Sequence, residues 1–94
     1  MEKRSAERIK FEKPVGLEIS IMASGQVNNI KCNGLGVDVS SYGVGAIAPC
    51  FFDSGEVVKV YMPVGNAKTE MPVFAEVIWA KVEDEKCRLG LKFL

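Results

Sequence analysis

The chain has 94 residues, twelve basic side chains balanced by twelve acidic ones, and 48% hydrophobic residues, which is enough for one globular domain with one core and too little for two. Charge balance excludes a general polyanion binder, because proteins that hold nucleic acid through its phosphates draw affinity from a basic excess. The start, MEKRSAERIKFEK, mixes charges of both signs, and the longest apolar run, GVGAIAPCFF, is broken at Pro49, so neither a secretory signal nor membrane insertion is expected and the expected location is the cytosol.

In chain order, residues 1–14 form a charged leader ending at Pro14, expected to be a mobile tail or a single helical turn. From Val15 the pattern becomes strand after strand. VGLEISIMA alternates, with Val15, Leu17, Ile19 and Ile21 on one face and Glu18 and Ser20 on the other, the period of a half-buried strand. Ser24, Gly25 and Gln26 make a short hairpin turn into the weaker strand QVNNIKC, and LGVDVS and GVGAIA follow. Asp53, Ser54 and Gly55 are turn residues ahead of EVVKVYMP. PVGNAKTE leads into the long run MPVFAEVIWAKV, and EDE turns the chain into KCRLGLKFL, where Cys87, Leu89, Leu91 and Phe93 share a face. No stretch of ten residues carries a helical stripe. Strands at near-regular spacing, joined by Gly, Pro, Asn and Asp turns, predict an all-β fold, a small antiparallel barrel over residues 15–94 whose closure removes the edges of an open sheet. An open sandwich is the alternative.

Cys32, Cys50 and Cys87 are odd in number and far apart, with no C-x-x-C spacing and no histidine in the chain. They read as reduced, mostly buried thiols, and no metal site is expected.

Two short patterns carry chemistry. Arg4 and Arg8 stand four apart in RSAER; on a helical turn the two guanidinium groups would repel, and an anion between them would reverse the penalty. Alone, such a pair reads as a solvated charged terminus. In DVSSYG, Asp38, Ser40 and Gly43 follow D-x-S-x-x-G, with Asp38 and Ser40 projecting to one side where a strand ends. Gly43 is expected to permit a positive φ and the close approach of a ligand. By itself this loop reads equally as an Asx or Ser turn.

An arginine pair followed by D-x-S-x-x-G on an all-β chain resembles the PilZ family, and AEVIWAKV and RLGLKFL resemble that family's long tryptophan-bearing strand and closing strand. The resemblance spans nearly all 94 residues. It implies a bacterial receptor for cyclic di-GMP, built on a six-stranded barrel with an N-terminal arginine loop folding over the ligand. It also implies a ligand site of Arg4, Arg8, Asp38, Ser40 and Gly43, with Lys3 and Trp79 as further candidates. Lys3 stands where many members have a second arginine, and the C-terminal helix of many members is not expected within these 94 residues.

The chemistry suits that ligand. Guanine offers acceptors O6 and N7 to an arginine fork and N1–H and N2–H₂ donors to a carboxylate, whereas an aspartate would be poorly placed beside a phosphate alone. The expected function is a cyclic di-GMP sensor or adaptor that signals to an unidentified protein partner by ordering its N-terminus, with no cofactor besides the ligand. The alternative is an interaction module of the same fold that binds no nucleotide. Catalysis lacks support, since no histidine, paired carboxylates or metal cluster is present to act on the messenger. Single-stranded DNA or RNA is not an expected partner, because no series of exposed aromatics offers stacking platforms.

Overall fold

The computed structural model describes residues 8–65 and 69–94, without the side chains of residues 21–23. It contains six strands, β1 (Ile9–Ala23), β2 (Gln26–Val39), β3 (Gly43–Ala48), β4 (Val57–Pro63), β5 (Glu70–Glu83) and β6 (Lys86–Phe93). All neighbours are antiparallel, and the order β1-β2-β3-β6-β5-β4 closes where β4 pairs with β1 through Gly16↔Tyr61, Leu17↔Val60 and Glu18↔Lys59. The expected closed barrel is therefore the fold, and no helix occurs among the described residues.

Alternation builds the core. Val15 and Leu17 from β1, Val44, Ala46 and Ala48 from β3, Val58 and Val60 from β4, Ala75 and Val77 from β5, and Cys87, Leu89 and Leu91 from β6 are buried, while the residues between them mostly face solvent. Phe52, from the loop after β3, caps this interior. No polar or charged side chain is buried among the described residues, so anything polar that binds must do so outside the core.

Four features differ from the sequence reading. The strand begins at Ile9 rather than Val15, with Ile9 opposite Val39 and Lys10 opposite Asp38; an irregularity lies between Lys10 and Lys13, with Glu12 at φ 49°, and Pro14 pairs with Leu35 on a stretch of β1 that β4 does not reach, where a strand tolerates proline. QVNNIKC and LGVDVS form one strand, not two. Gly34 lies between them because a Cβ there would come within 2.9 Å of the Ile47 carbonyl oxygen: the glycine marks close packing, not a turn. Gly43 does not adopt the expected positive φ, which among the described glycines is confined to Gly25, Gly55 and Gly65. Finally, Cys32 and Cys50 are not free thiols but a disulfide, with Cα atoms 6.5 Å apart. Leu35 pairs with Ile47, so three residues further along both chains Cys32 meets Cys50, a relation that appears only once the register is known. Cys87 is the buried free thiol expected of it.

Candidate functional site

The connection from β2 to β3 builds one rim of the barrel. The Ser40 amide donates to the Gly43 carbonyl (2.9 Å), and the Ser40 hydroxyl accepts from the Tyr42 amide (3.1 Å), a Ser turn that leaves the hydroxyl proton free to donate outward. The Phe93 amide donates to the Tyr42 carbonyl (2.7 Å), tying the loop to β6. Gly43 opens β3 opposite Lys92, and a Cβ on it would lie 1.9 Å from the Leu91 carbonyl oxygen. Glycine is required there by the neighbouring strand, a cause other than the backbone freedom predicted for it.

Asp38 sits one residue beyond an irregularity in the β2–β3 ladder, opposite Gly45, where a Cβ would come within 2.8 Å of the Asp38 carboxylate. The missing side chain at Gly45 lets the carboxylate lie flat on the sheet. Arg8 reaches it from the start of β1, its Nη2 donating to Asp38 Oδ1 at 3.0 Å. Their side chains are 47% and 31% exposed, so this pair is worth only about 0.2–1 kcal/mol. It positions both groups and yields easily to a competitor.

The far wall comes from β5 and β6. A bulge between Val77 and Trp79 turns both Ile78 and Trp79 outward, and the Trp79 indole lies over Gly90, whose Cβ, were there one, would be 2.2 Å from Nε1. Between this wall and the β2–β3 turn lies an open cleft of about 260 Å³ lined by Arg8, Ser40, Tyr42, Gly43, Ile78, Trp79, Gly90, Leu91 and Lys92.

Of the candidates read from sequence, Arg8, Ser40, Gly43 and Trp79 thus share one cleft, and Asp38 joins them through Arg8. Lys3 and Arg4 lie outside the described residues. Sequence reasoning missed Tyr42, Ile78 and Lys92. Tyr42 sits inside the D-x-S-x-x-G pattern and is 55% exposed, so an aromatic at a turn tip was the available signal; Ile78 is brought in by a bulge that alternation cannot reveal.

A closed six-stranded barrel with a cation, a carboxylate, a hydroxyl and an indole gathered around a cleft on its rim defines a small β-barrel module whose candidate site is outside the core. The chain belongs to the PilZ domain family, whose model matches residues 2–94. Among solved structures it is similar to the Bacillus subtilis inhibitor of motility MotI/DgrA, with a TM-score of 0.69 and 16% identity, over 99% of this chain and 43% of that one. It is also similar to the PilZ domain of YcgR from Escherichia coli, determined with c-di-GMP, with a TM-score of 0.62 and 18% identity, over 99% of this chain and 79% of that one. The chain therefore spans less than half the length of MotI/DgrA. No protein with a curated description matches the chain.

Proposed function

We propose that this chain is a cyclic di-GMP receptor of the bacterial cytoplasm that acts as a sensor or adaptor and has no catalytic role. The observation that carries this reading is the convergence of Arg8, Ser40, Gly43 and Trp79 on one cleft, with Asp38 held beside it by an ion pair that is cheap to exchange. Guanine N1–H and N2–H₂ take the Asp38 carboxylate, and the released Arg8 guanidinium turns to O6 and N7 or to phosphate. The Ser40 hydroxyl donates to a phosphate oxygen. Trp79 offers an apolar wall against which a base can lie.

Magnitudes are compatible. Charge-assisted bonds shielded from water contribute roughly 1.5–3 kcal/mol each, and micromolar affinity needs about 8 kcal/mol. Arg8 and Asp38 supply about half of that, and Arg4 with base stacking supplies the rest, less the cost of ordering the leader. Ordering of Lys3 and Arg4 over the rim is the output: the bound N-terminus becomes a surface that a protein partner reads. The YcgR PilZ domain, a barrel of the same fold determined with c-di-GMP, supports the choice of that ligand for this chain.

Isothermal calorimetry tests the proposal. Cyclic di-GMP should give heat where GMP and cyclic AMP at the same concentration give none, and Asp38→Ala should weaken binding at least about tenfold, a loss of some 1.4 kcal/mol. Absence of heat from the wild-type protein would refute it.

A further inference from the structure

We infer that the Cys32–Cys50 pair is a reversible thiol–disulfide modification site that clasps the β2–β3 hairpin and so sets the order of the rim at its other end. The part of this concerning ligand affinity rests on the cyclic di-GMP reading above; the clasp itself does not.

The register places the clasp. β2 and β3 share four paired positions, Leu35↔Ile47, Gly36↔Ala46, Asp38↔Gly45 and Val39↔Val44, with an irregularity between Gly36 and Asp38. So short and interrupted a ladder fixes β2 against β3 less firmly than the six unbroken pairs that hold β3 to β6 on its other side. At one end is the Ser40 turn; at the other, three residues beyond Leu35 and Ile47, is the disulfide. The covalent loop it closes contains Asp38, Ser40, Gly43 and Gly45, all of them elements of the rim. Opening the bond restores conformational freedom to the segment whose register presents Asp38 over Gly45.

The two cysteines differ in setting. Cys32 faces the core and is 8% exposed, whereas Cys50 is part-buried in the loop after β3, next to Phe51 at 60% exposure. An incoming thiolate therefore attacks Cys50. The step balances with a thiol such as glutathione as reductant: its thiolate forms a mixed disulfide with Cys50 and Cys32 leaves as thiolate. A second glutathione then displaces Cys50, giving two protein thiols and one glutathione disulfide. Cys87, opposite Ala48 on β6 and 1% exposed, is an internal control.

The test equilibrates the wild-type protein with reduced and oxidised glutathione at graded ratios, alkylates free thiols and weighs the product. Two alkyl groups should add together as the ratio becomes reducing, with Cys87 labelled only in denaturant. Hydrogen exchange of the oxidised and reduced forms should then differ by about tenfold or more at the amides of residues 38–45, and cyclic di-GMP should bind the reduced form about threefold or more weakly. Equal exchange in the two forms would overturn the clasp, as would three free thiols in air-oxidised protein. Changed exchange with no nucleotide heat in either form would leave the clasp standing and remove the nucleotide reading. The double variant Cys32→Ala/Cys50→Ala should reproduce the reduced form at every glutathione ratio; if it still responds to glutathione, the pair is not the clasp.

Discussion

The β2–β3 hairpin is closed by two kinds of chemistry. At its turn, Ser40 bonds to Tyr42 and Gly43, and Arg8 reaches Asp38, through contacts that are solvent-exposed and exchangeable. At its open end, Cys32 and Cys50 share a covalent bond beside the core. The difference teaches where rigidity is needed. Under the proposed function, a rim that trades its own ion pair for a ligand has weak bonds at the point of exchange, and the inferred clasp anchors the other end and keeps Asp38 in register.

The most damaging way to break this arrangement is to push the rim off its neighbour. Gly43→Ala sets a Cβ against the Leu91 backbone carbonyl, which cannot rotate away, so β3 must leave β6 at its first paired residue, Gly43↔Lys92. The expected cost is about 3 kcal/mol, near the upper end for overpacking, read as a lowered urea midpoint with an unchanged m-value. Gly90→Ala is next. There the obstruction is the Trp79 side chain, which can swing outward, so the expected loss is about 1–2 kcal/mol, accompanied by a red shift of tryptophan fluorescence as the indole enters water. Trp79 is the chain's one tryptophan, so the spectrum reports on it alone.

Arg8→Ala separates stability from binding. Its ion pair with Asp38 is largely exposed, so unfolding free energy should change by less than about 1 kcal/mol, while cyclic di-GMP affinity, under the proposed function, should fall about tenfold. A loss of stability as large as that of Gly43→Ala would mean that the pair is structural and that the comparison between the two ends is wrong.

Much of the architecture was legible because the barrel's interior is built from strict alternation. Cys87, Leu89 and Leu91 share the buried face in β6 as their spacing requires, with Phe93 packed beside them, and the Ser24–Gly25 turn has positive φ at both residues, as a two-residue hairpin turn requires and as Gly25 favours. What was missed depends on neighbours far apart in sequence. Gly34 looked like an interruption because its reason, the Ile47 carbonyl, lies on another strand. Cys32 and Cys50 looked unrelated because their facing depends on the β2–β3 register. The first strand was started too late because Pro14 reads as a breaker, whereas it stands on a stretch of β1 paired with β2 alone, a position that depends on where β4 begins to pair. Of the candidate site, the D-x-S-x-x-G pattern was visible as residue types, but the β5 bulge that adds Ile78 to the wall leaves no mark in a single sequence.

The smallest effect lies away from both ends, on the outer face of β1 and β4, and it sharpens the contrast because that face should be indifferent to ligand and to redox state. The Tyr61 hydroxyl donates to Glu18 Oε1 at 2.6 Å, and the Lys31 ammonium stands 4.3 Å from the ring centroid. The bond to Glu18 raises the Tyr61 pKa, with partial desolvation and the negative charges of Glu18 and Glu70 adding in the same direction. A phenol whose pKa is higher folded than unfolded stabilises the fold below its unfolded value, about 10. The contribution is lost as pH rises through the raised value, because ionisation removes the donor and sets tyrosinate against carboxylate. Acidification below neutrality should leave the phenol protonated. In a Tyr42→Phe background, the tyrosinate absorbance of Tyr61 should titrate above the free phenol, and Glu18→Gln should move its midpoint down. The midpoint should be the same with or without cyclic di-GMP and in oxidised or reduced protein; a shift with either would mean that the barrel transmits the state of its rim to the opposite wall.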